Sequence, residues 1–374
     1  MPKIYFIIGT RPELIKVAPL LIECKKMGFR DYTLVNTAQH KDLLAPYWKI
    51  FGLQPDITLD FMKPGQSLSS LTMRAMGQLQ EMIDGRAQER PDIILAQGDT
   101  TTVMAASITA FYNGIKFAHL EAGLRSYNLQ HPFPEEFNRR VAGITAWMNF
   151  APTEQAKDNL LKEGIRPESI KVVGNTVVDA LQYVRNHYPL NEQPFEYEPL
   201  NWRRGSRFVL VTCHRRENHG ANLVQIIEAV ATLAREYEAL QFVWAIHPNP
   251  NVKNAVLNSK LGSLENITLT PPLSYFDLLK IMADSQIILT DSGGIQEEAP
   301  SFGVPVLVMR ETTERPEGVA AGISFLVGAA KDKIIAQFRA SANGTGARDF
   351  TNPYGDGLAA SEVMRHLTAA ALTS

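Results

Sequence analysis

Gln286-Ile-Ile-Leu-Thr-Asp-Ser-Gly-Gly-Ile-Gln-Glu-Glu-Ala-Pro300 joins a strand, a turn and a helix start without a break. Residues 286–290 form a short apolar run rich in β-branched side chains, the pattern of a buried strand. Asp291, Ser292, Gly293 and Gly294 follow at once, and 295–299 opens a helix. Such a turn aims backbone N–H groups at an anion, and the glycines let a phosphate come close where a Cβ would intrude. Glu298, one turn further, is placed to accept hydrogen bonds from ribose hydroxyls. Ser292, Gly293, Gly294 and Glu298 are thus candidates to hold a nucleoside diphosphate. Plain packing also produces Ser-Gly-Gly turns, and the acidic residue is what favours the nucleotide.

The same alternation extends outward in both directions. Strands are expected at 3–8, 32–36, 93–96, 117–120, 208–212, 241–246, 286–290 and 305–309. Helices are expected at 12–26, 68–84, 102–112, 136–146, 153–162, 177–187, 223–237, 276–283, 331–341 and 358–372. This rhythm predicts parallel sheets covered on both faces. Residues 188–205 interrupt it with Pro189, Pro194 and Pro199 among polar and aromatic side chains. The expected fold is therefore α/β, with two Rossmann-like doubly wound domains facing a cleft. The boundaries read as 1–188, a linker at 189–205, a second domain at 206–357 and a terminal helix at 358–374. Gly-x-Gly-x-x-Gly is absent after the first strand, and Gly-x-x-x-x-Gly-Lys-Ser/Thr is absent throughout, which argues against a nicotinamide dinucleotide and a P-loop ATPase.

Composition narrows the class. In 374 residues, 45% hydrophobic and 20% charged residues suit two globular domains with large cores. A net charge of −2 gives no basic field for nucleic acid or an anionic membrane, so any anion site is local. Cys24 and Cys213 are too few for a disulfide framework and fit a reduced, cytoplasmic protein. No secretory signal or membrane span is expected. The eight histidines show no metal-ligand spacing and two distant cysteines do not make a zinc site, so no metal is expected.

Other candidates sit where strands give way to helices. Gly9-Thr-Arg-Pro-Glu13 places Arg11 at the carboxyl end of the first strand, with Pro12 suited to a first helical turn; an exposed cap is the plainer reading. Asp99, Glu121 and Glu135 occupy similar places in the first domain. Asp99 and Glu135 could be ordinary helix N-terminal acids, yet three crowded carboxylates can push their proton affinities apart and work as acid/base pairs. Glu136 and Arg139 could pair on a helix face. His214-Arg-Arg-Glu217 is a cationic strand end suited to a diphosphate, or an exposed charged turn. Arg315 is a further cation candidate.

Ten motifs together resemble the UDP-N-acetylglucosamine 2-epimerase family, in its bacterial, non-hydrolysing branch. They include Gly9-Thr-Arg-Pro-Glu13, Ala38-Gln-His40, Gly98-Asp-Thr-Thr101, Glu121-Ala-Gly-Leu-Arg125, Pro134-Glu-Glu136, Gly174-Asn-Thr176, His214-Arg-Arg-Glu217, the 291–300 tract, Thr313-Glu-Arg-Pro316 and Asn352-Pro-Tyr-Gly-Asp-Gly357. The resemblance implies a glycosyltransferase-B-like architecture whose last helix crosses back to the first domain. It implies interconversion of UDP-N-acetylglucosamine and UDP-N-acetylmannosamine by elimination and re-addition of UDP, without a redox cofactor. Asp99, Glu121 and Glu135 would be the acid/base groups and His214 would aid diphosphate departure. Arg11, Ser292, Gly293, Gly294, Glu298 and Arg315 would bind UDP. A second, activating substrate would meet Gln39, His40, Gln66, Arg74, Glu136, Arg215 and His247, and a homodimer is expected. Relatives usually carry Gly before the histidine, where this chain has Cys213; a packing change with intact chemistry is expected. A UDP-sugar glycosyltransferase of the same fold, or an epimerase of a diacetamido uronic sugar nucleotide, is the alternative.

Overall fold

The computed structural model describes residues 1–39, 41–63, 65–190, 192–203, 205–342 and 352–369. The chain divides into two compact units, one comprising Met1–Val184 and the segment that begins at Tyr354, the other Arg185–Pro353.

The first unit runs β1 (Ile4–Ile8), α1 (Arg11–Lys26), β2 (Tyr32–Asn36), α2 (Lys41–Phe51), β3 (Ile57–Thr58), α3 (Leu68–Asp84), β4 (Ile93–Gln97), α4 (Thr101–Tyr112), β5 (Lys116–Leu120), α5 (Glu135–Thr145), β6 (Met148–Ala151), α6 (Glu154–Lys162), β7 (Ile170–Val172) and α7 (Thr176–His187). Its seven strands are ordered β3-β2-β1-β4-β5-β6-β7, and each neighbouring pair is parallel. β1 and β4 are buried along their whole length, as strands covered on both faces must be. The order reverses between them, and the turns that follow these two strands flank the reversal.

The second unit runs β8 (Phe208–Thr212), α8 (Ala221–Glu236), β9 (Gln241–Ala245), α9 (Pro250–Leu257), β10 (Ile267–Thr270), α10 (Tyr275–Ala283), β11 (Ser285–Thr290), α11 (Gly293–Glu298), β12 (Val306–Val308), α12 (Pro316–Ala320), β13 (Ser324–Leu326) and α13 (Lys331–Ala342). Its parallel sheet is ordered β10-β9-β8-β11-β12-β13, with the reversal between β8 and β11. Val209, Val211, Trp244, Leu289 and Leu307 form its core with Leu223, Ile226 and Phe338. The last described helix, α14 (Ala359–Ala369), packs against α1 in the first unit, where Cys24 Sγ meets Met364 Sδ at 3.8 Å.

Both sheets are parallel and doubly covered, as the alternation predicts. Several elements escape the sequence reading: β3, β6, β7, β10 and β13 have two to four residues each, too few to show a period. The described residues of the proline-rich stretch expected as a linker at 189–205 belong to the second unit. Leu190, Phe195 and Leu200 are buried there, and the Asp277 carboxylate accepts the N–H groups of Glu196 and Tyr197, each at 2.9 Å. Pro199 even lies within a short 3-10 helix, Glu198–Arg203, so the prolines break the β–α rhythm without releasing the chain. Among the described residues no helix is long and apolar enough to cross a membrane.

Candidate functional site

In the second unit, pairing of β8 with β11 sets Thr212 against Thr290, whose hydroxyls meet at 2.6 Å. The next residues of each strand are therefore neighbours at the carboxyl edge. The Asp291 carboxylate accepts the backbone N–H of His214 at 3.0 Å, that of Arg215 at 2.9 Å and the Asn218 amide at 2.9 Å. His214 Nδ1 lies 2.9 Å from Asp291 Oδ1. Burial alone would raise the Asp291 carboxyl, but the His214 ring and these N–H donors outweigh it and hold it below the usual carboxylate range. The His214 ring also stacks on His247, with centroids 5.5 Å apart.

Cys213 is buried in the core beside this turn, and burial followed by the Asp291 charge pushes its thiol up. It is a packing residue there, inert as a nucleophile. Three guanidiniums gather near α11. Arg215, Arg310 and Arg315 oppose one another's charge, and burial is the first cause that lowers the Arg215 proton affinity. Glu314 binds Arg310 at 2.8 Å and approaches Arg315 at 3.6 Å, and Glu297 binds Arg315 at 2.7 Å. Gly293 lies under the Arg315 guanidinium, whereas a Cβ at Gly294 would meet nothing. The two glycines thus have different reasons: one admits an arginine, the other leaves open space at the start of α11. Ser292 is the N-cap of α11, and Glu298, its last residue, is buried.

In the first unit, β4 and β5 pair so that Gln97 faces Leu120, and Asp99 and Glu121 leave the sheet at the same edge. Arg139 binds Asp99 at 2.5 Å and also reaches Glu136 at 3.3 Å. Glu121 is held by Lys16, in a buried ion pair, and by the Asn175 amide at 3.1 Å. Its φ of 64° is in the left-handed region, an uncommon choice for a side chain of this size. Glu135 is the first residue of α5 and is half-buried. Glu13 ties two turns together: it accepts from the Gly9 and Thr10 amides at 2.6 and 2.8 Å and from the Thr100 hydroxyl at 2.6 Å. Burial raises its proton affinity against those bonds. Arg11 opens α1 and is exposed.

The residues expected to meet a second substrate divide. Gln66 and Arg74 come together at 2.5 Å in the first unit, and Gln39 accepts from Thr102 at 3.2 Å. Arg215 and His247 belong to the second unit. His40 lies outside the described residues. Glu136 is fully buried; it accepts the amides of Ser126 and Tyr127 at 2.9 and 3.1 Å and pairs with Arg139 and Arg140. Its place here is that of a loop anchor.

Lys16, Asn218 and Arg310 stand in none of the motifs read from the sequence, whereas Asn175, Asp291, Glu297 and Glu314 lie inside them without a role, and Arg139, expected to pair with Glu136, also binds Asp99. The signal for Lys16 was present: it lies one turn beyond Pro12 on the helix that leaves β1. Among the described residues, no group of three His, Cys, Asp or Glu side chains could hold a metal ion.

The family model for UDP-N-acetylglucosamine 2-epimerase matches residues 22–368. The UDP-N-acetylglucosamine 2-epimerase of Escherichia coli K12 is 41% identical over 372 residues, covering 98% of each chain. That of Neisseria meningitidis serogroup A is 43% identical over 342 residues, covering 90% of each. Among solved structures, the N. meningitidis enzyme bound to UDP-GlcNAc superposes with a TM-score of 0.89 at 40% identity, covering 98% of this chain and 99% of that one. The Methanocaldococcus jannaschii enzyme in complex with UDP-GlcNAc and UDP gives 0.84 at 33% identity, with the same coverage. With sequence and fold in agreement over nearly its whole length, the chain belongs to the UDP-N-acetylglucosamine 2-epimerase family, a family of isomerases.

Proposed function

We propose that this protein interconverts UDP-N-acetylglucosamine and UDP-N-acetylmannosamine by eliminating UDP and adding it back. The observation that carries this reading is the collection of carboxylates Asp99 and Glu121 at one sheet edge, each fixed by a cation. The C2 hydrogen of an N-acetylhexosamine has no adjacent carbonyl and resists direct removal. Breaking the C1–O bond first, with the electron pair leaving on the diphosphate, makes C1 oxocarbenium-like and C2–H acidic. A carboxylate then takes that proton and leaves a glycal beside UDP. In the return step a second acid protonates C2 from the opposite face while the diphosphate oxygen re-forms the bond to C1.

Asp99, Glu121 and Glu135 supply the acid/base groups in this scheme. His214 and Arg315 serve the charge that develops on the diphosphate, with Ser292, Gly293 and Gly294 at the phosphates and Glu298 at the ribose. Arg11 is a further UDP contact. Product would feed polysaccharide assembly in the cytoplasm. Exposed Phe111 and Tyr112 on α4, and Phe137 and Ile144 on the adjoining α5, favour a homodimer through that face.

NMR of UDP-N-acetylglucosamine incubated with the protein in deuterated water tests the reaction. Deuterium should enter at C2 as the manno epimer appears. Retention of the C2 hydrogen with transfer of sugar to an added acceptor would establish a glycosyltransferase instead.

A further inference from the structure

Asp291 opens the tract expected to hold the nucleotide, yet its side chain is fully buried and turned inward. Both carboxylate oxygens are spent on one loop. The His214 N–H contacts Oδ1 and Oδ2 at 3.1 and 3.0 Å, and the Arg215 N–H and the Asn218 amide reach Oδ2, each at 2.9 Å. Asn218 is itself pinned, since the same amide nitrogen donates to the Met309 carbonyl at 3.0 Å. Oδ1 remains for the ring, 2.9 Å from His214 Nδ1. An ionised carboxylate has no proton to donate, so the ring nitrogen is the donor in this contact. The ring is one-third exposed, and His247 stacks on it, with the planes 26° apart. Rotation is therefore opposed by a face and an edge together.

We propose that Asp291 is a positioning residue for His214, fixing the ring with its proton on Nδ1 so that Nε2 is the nitrogen turned to the ligand. The inference rests on His214 standing beside the leaving diphosphate. Whichever charge state the ring holds, Nδ1 keeps its proton against Asp291. The proton that is gained or lost sits on Nε2, where a diphosphate oxygen can take a hydrogen bond. Asp291 thereby acts through His214 without touching substrate. Asn at this position keeps the size and one acceptor, but sets an NH₂ group against Nδ1 and favours the opposite tautomer; Nε2 still carries a proton, yet the carboxylate that stabilises the charged ring is gone, so the ring can no longer bring a positive charge to the diphosphate.

The test joins a spectroscopic and a kinetic readout on the full-length chain. ¹H–¹⁵N correlation of ring-labelled histidine should show His214 protonated at Nδ1 in the parent and at Nε2 in Asp291→Asn. Turnover should fall about 10³-fold in Asp291→Asn while the Kd for UDP stays within about threefold. In a His214→Gln background the same change should cost less than about twofold, because its route is gone. A parent His214 protonated only at Nε2, or a full additional loss in the His214→Gln background, overturns the proposal. If Asp291→Asn fails to fold, the parent's tautomer alone decides. The tautomer is read without turnover, so a protein that never exchanges C2 hydrogen would sink the epimerase reading while this one is still judged.

Discussion

A β-carbon built on Gly293 would stand 2.6 Å from the guanidinium carbon of Arg315. The arginine occupies the space that glycine leaves, and Glu297 holds it there. One turn residue is thus committed to a neighbouring side chain, while Gly294 beside it faces open space.

Alanine should separate these two roles. Gly293→Ala must displace the Arg315 guanidinium, the far end of a flexible side chain, so UDP affinity should fall more clearly than stability. Gly294→Ala should leave urea stability unchanged or raised by up to about 1 kcal/mol, through helix propensity, and still weaken UDP binding measured by calorimetry. Unchanged UDP affinity in Gly294→Ala would remove the phosphates from this turn.

Lys16 and Glu121 form a buried pair, with side chains 8% and 9% exposed. Lys16→Met leaves the Glu121 carboxylate without its ammonium partner and should cost about 3–5 kcal/mol in denaturant unfolding. Adding Glu121→Gln should recover part of that loss, because the uncompensated charge goes with it. Two strictly additive losses would show that the pair is not coupled.

Asp179 gives a pH signature. Its carboxyl accepts the Ala360 N–H of α14 at 2.8 Å, and burial pushes it up from 3.8 to about 6 against that bond. Between these values the folded chain holds a proton that the unfolded chain has released. Stability from this group therefore falls as pH rises from about 4 to about 6, and stays reduced above that. Asp179→Asn should be more stable than the parent at pH 7.5, by about 1–3 kcal/mol, and the gain should vanish near pH 4. A pH-independent difference between the two proteins is the contrary result.

Asp99→Asn, Glu121→Gln and Glu135→Gln should each lower turnover by about 10²–10⁴ with little change in UDP affinity. Progress curves and UDP titrations on the three variants check this. Near-normal turnover in all three would exclude these carboxylates from proton transfer.

Activation by a second substrate, which the family resemblance implies, would show in the kinetics. With the manno epimer as sole substrate at low concentration, the reaction should start slowly, and traces of the gluco epimer should abolish the lag. Arg74→Ala, which removes the partner of Gln66, should lengthen it. A lag-free, hyperbolic response in both directions would dismiss the second substrate.

The sequence by itself determined the β–α alternation, the doubly covered parallel sheets and the places where chemistry leaves the strands. Those signals are local: apolar runs, glycines at turns, acids and cations just past strand ends. Only the tertiary structure decided which of these residues meet. Lys16 reaches Glu121 across 105 positions, and Arg139 reaches Asp99 across 40. Asp291, read as part of a nucleotide tract, serves His214 from 77 positions away. Glu136, placed by its motif, meets the amides of Ser126 and Tyr127 and the guanidiniums of Arg139 and Arg140. The physical reason is strand order. A residue's partners at a sheet edge depend on which strand lies beside its own, and the reversals between β1 and β4 and between β8 and β11 are set by packing of the whole domain.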